Sequence, residues 1–128
     1  HKIREQNIKL NTDFSKNIPP LNLDKEQIKA CILNVVSNAI QAMPSGGRLF
    51  ISTAVSDGFV SLRIKDTGEG IKEEDIDKVF NPYFTTKTAG IGLGLAITKR
   101  IIEEHKGRID VESSYGNGAV VSIQFPTT

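Results

Sequence analysis

Cysteine occurs once in the 128 residues, methionine once, histidine twice and tryptophan not at all. A lone cysteine excludes an internal disulfide, and without Cys/His clusters the usual zinc patterns are excluded as well. An excess of charge of one sign is also lacking: 16 Lys plus Arg face 15 Asp plus Glu, a net charge of +1. That balance argues against nucleic-acid binding by charge, and no nucleic-acid partner is expected. No apolar run nears the ~18 residues of a membrane span, and no apolar stretch near the start resembles a signal peptide. A reducing, cytoplasmic setting is therefore expected. The remainder, with 38% hydrophobic and 24% charged residues, is the make-up of one soluble globular domain spanning 1–128. The chain opens His1-Lys2-Ile3 rather than with methionine, and we read it as a piece of something longer.

Arg4 to Leu10 and Ile18 to Leu21 read as short extended segments, since Pro19-Pro20 forbids helix there. Asp24 is placed to cap a helix, and Ile28, Cys31, Ile32, Val35, Val36, Ala39, Ile40 and Met43 follow with helical spacing. Pro44-Ser45-Gly46-Gly47 ends that helix. Alternation over Leu49 to Val55 and Phe59 to Ile64, around Asp57-Gly58, predicts a β-hairpin. A short helix is expected over Lys72 to Phe80, a third over Leu93 to His105, and closing strands over Arg108 to Ser113 and Ala119 to Phe125. The fold class predicted is α+β. Three helices would cover one face of a mixed, mainly antiparallel sheet of about five strands, giving a two-layer α/β sandwich.

Four segments depart from plain packing. On the long helix Gln27, Asn34, Asn38 and Gln41 share a stripe roughly 60° wide, free of charge, where a solvated face would carry Lys and Glu. Asn34 and Asn38 could offer oxygens to a hard cation such as magnesium, which needs only one or two protein groups beside substrate phosphates; a wetted polar edge is the simpler alternative. Asp66-Thr67-Gly68-Glu69-Gly70-Ile71 follows a strand. Its carboxylate could accept a hydrogen bond from an exocyclic amine such as adenine's, and its glycines let a flat ligand approach; it could also be a simple turn. Phe80-Asn81-Pro82-Tyr83-Phe84-Thr85-Thr86-Lys87 holds three of the eight aromatics in one loop, either anchoring a mobile segment or merely pinning it. Gly90-Ile91-Gly92-Leu93-Gly94-Leu95 opens the third helix, where backbone N–H groups favour anions. It is neither a Rossmann fingerprint nor a P-loop.

In that order the four segments resemble the sequence boxes of the catalytic, ATP-binding domain of sensor histidine kinases, within the Bergerat-fold ATPases. That wider group includes DNA gyrase, the mismatch-repair ATPases and the large heat-shock chaperones. Asn34 to Ala39 is similar to the N box, Asp66 to Gly70 to the first glycine box, Phe80 to Lys87 to the F box, and Gly90 to Gly94 to the second glycine box. The likeness covers about Leu21 to Pro126. It implies a sandwich with ATP between the long helix and a lid over residues 81–92. It assigns adenine to Asp66, with Gly68, Gly70 and Ile71 shaping the pocket. Asn38 becomes the Mg2+ ligand with Asn34 beside it as a possible second, and Asn34, Asn38 and Lys87 become the catalytic set. Phe84, Thr85, Thr86, Lys87, Gly90, Gly92, Leu93, Gly94 and Leu95 complete the nucleotide contacts. Ile91 stands where the family often has Thr or Ser, and Gln41 where some members carry a basic residue; neither change removes a backbone donor.

Hydrolysing relatives place a glutamate at the position of Asn34 as general base, and an amide cannot take a proton there. The resemblance therefore implies slow hydrolysis and transfer of the γ-phosphoryl group to a histidine. His1 lacks the family's phosphoacceptor pattern, and His105 reads as a helix cap. The acceptor is thus expected on a separate histidine-bearing dimerisation domain, with residues 1–12 as the junction to it. A response regulator receiver domain is the expected downstream partner. The isolated domain is expected to be monomeric and the full-length protein a homodimer. A serine kinase of the anti-sigma-factor type and a non-catalytic nucleotide-gated module are the alternatives. Cys31 and Met43 are expected in the core.

Overall fold

A computed structural model describes residues 7–81 and 91–127, and of residues 91–94 only the helical backbone. Five strands form one sheet: β1 (Ile8–Asp13), β2 (Gly47–Ser56), β3 (Phe59–Asp66), β4 (Arg108–Ser113) and β5 (Ala119–Pro126), in the order β1-β2-β3-β5-β4. Three helices accompany it, α1 (Lys25–Gln41), α2 (Glu73–Ile76) and α3 (Ile91–Glu104). The sheet is mixed. β1 runs parallel to β2, with Ile8 beside Gly47 and Leu10 beside Leu49, and every other pairing is antiparallel. The predicted α+β class and strand number are found.

Local chemistry explains where the elements begin and end. Asp24 caps α1, its Oδ1 accepting the Gln27 N–H at 3.1 Å, which satisfies one of the orphan donors of the first turn. At the far end the Ala42 N–H reaches Asn38 O and Ala39 O. The β2–β3 hairpin turns on Asp57 (φ 33°) and Gly58 (φ 84°), both left-handed as a tight two-residue connection requires. The core sits between sheet and helices. Val35, Ala39 and Ile40 of α1 join Leu49, Ile64, Ile123 and Ile102 of α3 there, several of them fully buried.

Three expectations are corrected. The first strand is Ile8–Asp13 rather than Arg4 to Leu10, residues 1–6 lying outside the described set. No strand forms at Ile18 to Leu21; the prolines lack an N–H to give a ladder, and Leu21 packs against the core instead. The helix expected over Lys72 to Phe80 is a single turn, α2, after which a run of turns buries Val79 and half-buries Phe80.

Candidate functional site

Asp66 ends β3 opposite Leu49 of β2 and is only 6% exposed, one of two buried polar residues among the described residues. Its Oδ1 accepts the Gly68 N–H at 2.9 Å. Burial raises its pKa above the ordinary carboxylate value, while the Gly68 and Ala119 N–H groups work the other way by stabilising the charged form. A carboxylate anchored by the Gly68 N–H is held in orientation and retains acceptor capacity for an amine.

The loop after Asp66 is clamped on three sides. Toward α1, the Glu69 N–H reaches Ala42 O at 3.3 Å, and Gly68 lies so close to that carbonyl that a Cβ would collide with it. Toward β2, Thr67 Oγ1 accepts the Arg48 N–H at 2.9 Å. Toward the β4–β5 turn, the Gly116 N–H donates to Glu69 O at 2.6 Å and the Ile71 N–H to Ser113 Oγ at 2.7 Å. Gly70 has φ 74° and would push a Cβ to 2.6 Å from Ser114 O. The protein itself thus uses the missing side chains of Gly68 and Gly70 to seat the loop. Ile71 is half-buried against the core.

Ala42, on which this loop rests, lies one helical turn beyond Asn38. The charge-free stripe therefore runs from the Asp66 loop back along α1, and its members divide by environment. Gln27 and Gln41 are exposed, Gln41 Nε2 donating to Ser37 Oγ at 3.4 Å. Asn34 and Asn38 are half-buried. The Asn34 amide donates from Nδ2 to Thr98 Oγ1 on α3 at 3.0 Å. Asn38 Nδ2 is buried and has no hydrogen-bond partner among the described residues. A buried amide N–H left unsatisfied costs about 1–3 kcal/mol; as a donor it suits an acceptor such as a phosphate oxygen, which leaves the amide oxygen as the atom that could face a cation. No cluster of three or more His, Cys, Asp or Glu able to hold a metal occurs among the described residues. Any magnesium here would have to draw on amide oxygens and phosphates, a donor set that suits a hard cation.

Other expected site residues have these placements. Gly92, Leu93 and Gly94 stand in the first turn of α3, while Leu95 is 3% exposed and packs in the core. Phe84, Thr85, Thr86, Lys87 and Gly90 lie outside the described residues. Cys31 is buried, and burial pushes its thiol pKa up, which leaves it inert as a core residue should be. His105 accepts the Asp24 N–H at Nε2 (3.1 Å), so Nδ1 carries the proton and donates to Ile101 O at 2.8 Å. It caps the end of α3 and ties it to the start of α1.

Sequence reasoning passed over Thr98 and the β4–β5 turn. Thr98 interrupts the buried spacing of Leu95 and Ile102 on α3 and is 2% exposed, a polar residue on an apolar stripe that must have a partner. Ser113 reads as the last residue of a closing strand, and Gly116 and Gly118 as the ordinary turn that follows it, yet they back the Asp66 loop.

Comparison with known proteins bears on the arrangement. The family described as "Histidine kinase-, DNA gyrase B-, and HSP90-like ATPase" matches residues 23–128. Sporulation kinase E of Bacillus subtilis (strain 168) is 39% identical over 121 residues, which is 94% of this chain and 16% of that protein. The catalytic domain of the histidine kinase ThkA superposes with a TM-score of 0.88 at 36% identity, covering 99% of this chain and 84% of that one. ThkA in complex with the response regulator protein TrrA gives a TM-score of 0.83 at 34% identity, over 99% of this chain and 36% of that one. The chain therefore spans about a sixth of the curated relative's length.

Proposed function

This chain belongs to the histidine kinase-, DNA gyrase B- and HSP90-like ATPase family, and within it we propose the catalytic domain of a two-component sensor kinase that transfers phosphate from Mg-ATP to a histidine. ATP binding follows from the family. The metal, the acceptor and the residue roles are the proposal. The observation that carries it is the pairing of two unlike features on one surface: a buried, oriented carboxylate at Asp66, and, one helical turn past the α1 residue its loop rests on, an unsatisfied amide at Asn38.

Asp66 accepts the exocyclic amine of adenine, and its backbone-held orientation favours that base over one without the amine. The Asp66–Ile71 loop, seated on Ala42, keeps the purine end beside α1. Asn38 would hold magnesium through its amide oxygen. When bound, the metal neutralises charge on the phosphates, which is most of what phosphoryl transfer asks of a site. Asn34, with one Nδ2 proton engaged by Thr98, keeps its second N–H and its carbonyl oxygen, and as an amide cannot serve as general base for water. Hydrolysis is accordingly slow. Lys87 and the backbone N–H groups of Gly90, Gly92 and Gly94 meet the phosphates from a lid over 81–92.

The acceptor histidine comes from a dimerisation domain of the same protein, joined through residues 1–12. Both nitrogens of His105 are committed to backbone partners, which supports an acceptor elsewhere. A response regulator receiver domain takes the phosphate onward, as the complex of ThkA with TrrA suggests by analogy. No helix of the described residues is long and apolar enough to cross a membrane; the domain works in the cytoplasm, as a monomer in isolation and within a homodimer in the parent protein.

The test is transfer in trans. Radiolabelled ATP, magnesium and a histidine-bearing dimerisation domain should give phosphate that is acid-labile on that domain. Acid-stable phosphate on a serine partner would point to the anti-sigma type, and no transfer to any acceptor would leave a binding module.

A further inference from the structure

Behind the purine end of the site lies the β4–β5 turn, which lines no part of the nucleotide pocket as assigned above. Its attachment to the Asp66 loop is dense. The Gly116 N–H donates to Glu69 O at 2.6 Å, and the backbone of Gly118 abuts Asp66 O closely enough that a Cβ there would collide with it. Each of these tethers is main chain. Ser113 is the exception: its Oγ accepts the Ile71 N–H at 2.7 Å and donates to Gly118 O at 2.8 Å.

A hydroxyl has one proton, and here Gly118 O takes it, so the lone pair facing Ile71 is fixed as acceptor. One side chain thus locks both ends of an interlock: the loop that leaves Asp66, and the turn whose Gly118 backbone packs against Asp66 O. Without the hydroxyl, the Ile71 N–H loses its acceptor, and Gly118 O keeps only the long contact from the Ser114 N–H at 3.4 Å. The freed turn would no longer brace Asp66 through the Gly118 backbone, and the carboxylate would lose its aim.

We propose that Ser113 is a positioning residue for nucleobase recognition, acting through the turn to aim the Asp66 carboxylate at the exocyclic amine. The proposal rests on Asp66 as the purine anchor, and the experiment separates the two. Affinities of the 128-residue chain are measured for ATP and for purine riboside triphosphate, which lacks the 6-amino group. The unaltered chain should prefer ATP by about tenfold to a hundredfold, the value of a hydrogen bond to a charged group.

Ser113→Ala should weaken ATP by about threefold to tenfold and leave the analogue within about twofold, so that discrimination shrinks. Ser113→Thr should restore it. A change that loosened the fold in general would weaken both ligands alike, and that result overturns the proposal, as does full discrimination in Ser113→Ala. Should the alanine variant not fold, Ser113→Cys places a weaker donor and acceptor in the same position and is read by the same criteria. Asp66→Asn is the control. If it abolishes discrimination while Ser113→Ala keeps it, only the role of Ser113 falls. If Asp66→Asn itself discriminates normally, the purine assignment fails and the proposal falls with it.

Discussion

The two ends of the candidate site are built in opposite ways. At the Asp66 end the geometry is already set: the carboxylate accepts the Gly68 N–H, and the loop is fastened to α1, to β2 and to the β4–β5 turn. At the Asn38 end an amide nitrogen is buried with no partner among the described residues, while its neighbour Asn34 is tied sideways to Thr98. The contrast follows the ligands each end would meet. A rigid purine is discriminated by a preset acceptor, since an acceptor that must first be ordered loses that ordering cost from binding. Phosphates and a hydrated cation bring their own donors and acceptors, so the groups that receive them stay unsatisfied until they arrive.

The sharpest way to break this contrast is Asn38→Ala. Phosphoryl transfer in trans should fall by about a hundredfold or more, the loss of ~3 kcal/mol or more of metal-assisted stabilisation. The midpoint of thermal unfolding should stay level or rise, because the variant removes a buried amide with an unpaired nitrogen. A large drop in stability would mean that the amide has a structural partner after all.

Next in size is a pair of glycines. Gly68→Ala drives a methyl into the Ala42 carbonyl and should cost about 1–3 kcal/mol of stability by overpacking, together with nucleotide affinity. Gly58→Ala, at φ 84° but with nothing within 4 Å of the new Cβ, should cost roughly 1 kcal/mol from backbone strain alone and leave binding untouched. Chemical denaturation with parallel binding measurements checks both. Equal effects on binding would show that the Asp66 loop is no more committed than the hairpin.

A smaller loss is expected at the seam beside the stripe. Thr98→Val preserves shape but leaves Asn34 Nδ2 without its acceptor, at a cost of about 1 kcal/mol in denaturant unfolding. An unchanged midpoint would show that Asn34 has found another acceptor.

Least in size is the response to pH. Asp66 is more basic folded than unfolded, so in the window between those two values the native state holds the extra proton. Stability attributable to this group is therefore greatest at the acid side and falls as pH rises through the window just above the ordinary carboxylate range. The difference in thermal midpoint between the unaltered chain and Asp66→Asn, followed against pH, isolates it. The midpoint of the unaltered chain minus that of Asp66→Asn should fall as pH rises through this window; a rise would mean that the carboxylate is stabilised, not burdened, by its surroundings.

Much of this was legible in residue order. The apolar spacing from Ile28 to Met43, with Asp24 before it, marks α1 to within a residue or two, because an amphipathic helix repeats its signal over several turns. Asp57-Gly58 marks the hairpin for the same kind of local reason. β1 was misplaced because only Ile8 of its six residues is buried, which leaves no alternation to read on an edge strand. The division between Asn34 and Asn38 was hidden, since spacing puts both on one stripe and only the packing of α3 supplies Thr98 to one of them. Ser113 was invisible for a similar reason. Its two partners lie 42 and 5 residues away, and nothing in a Ser-Ser-Tyr-Gly-Asn-Gly turn announces what it leans against.

Calorimetric titration of ATP into the 128-residue chain, with magnesium and with a chelator, then repeated on Asp66→Asn, goes to the centre. Binding should depend on the metal and weaken by about tenfold to a hundredfold in the variant, the ~1.5–3 kcal/mol of a charge-assisted hydrogen bond. Heat of binding that ignores both the metal and the substitution would contradict a pocket that holds purine at Asp66 and a cation at Asn38.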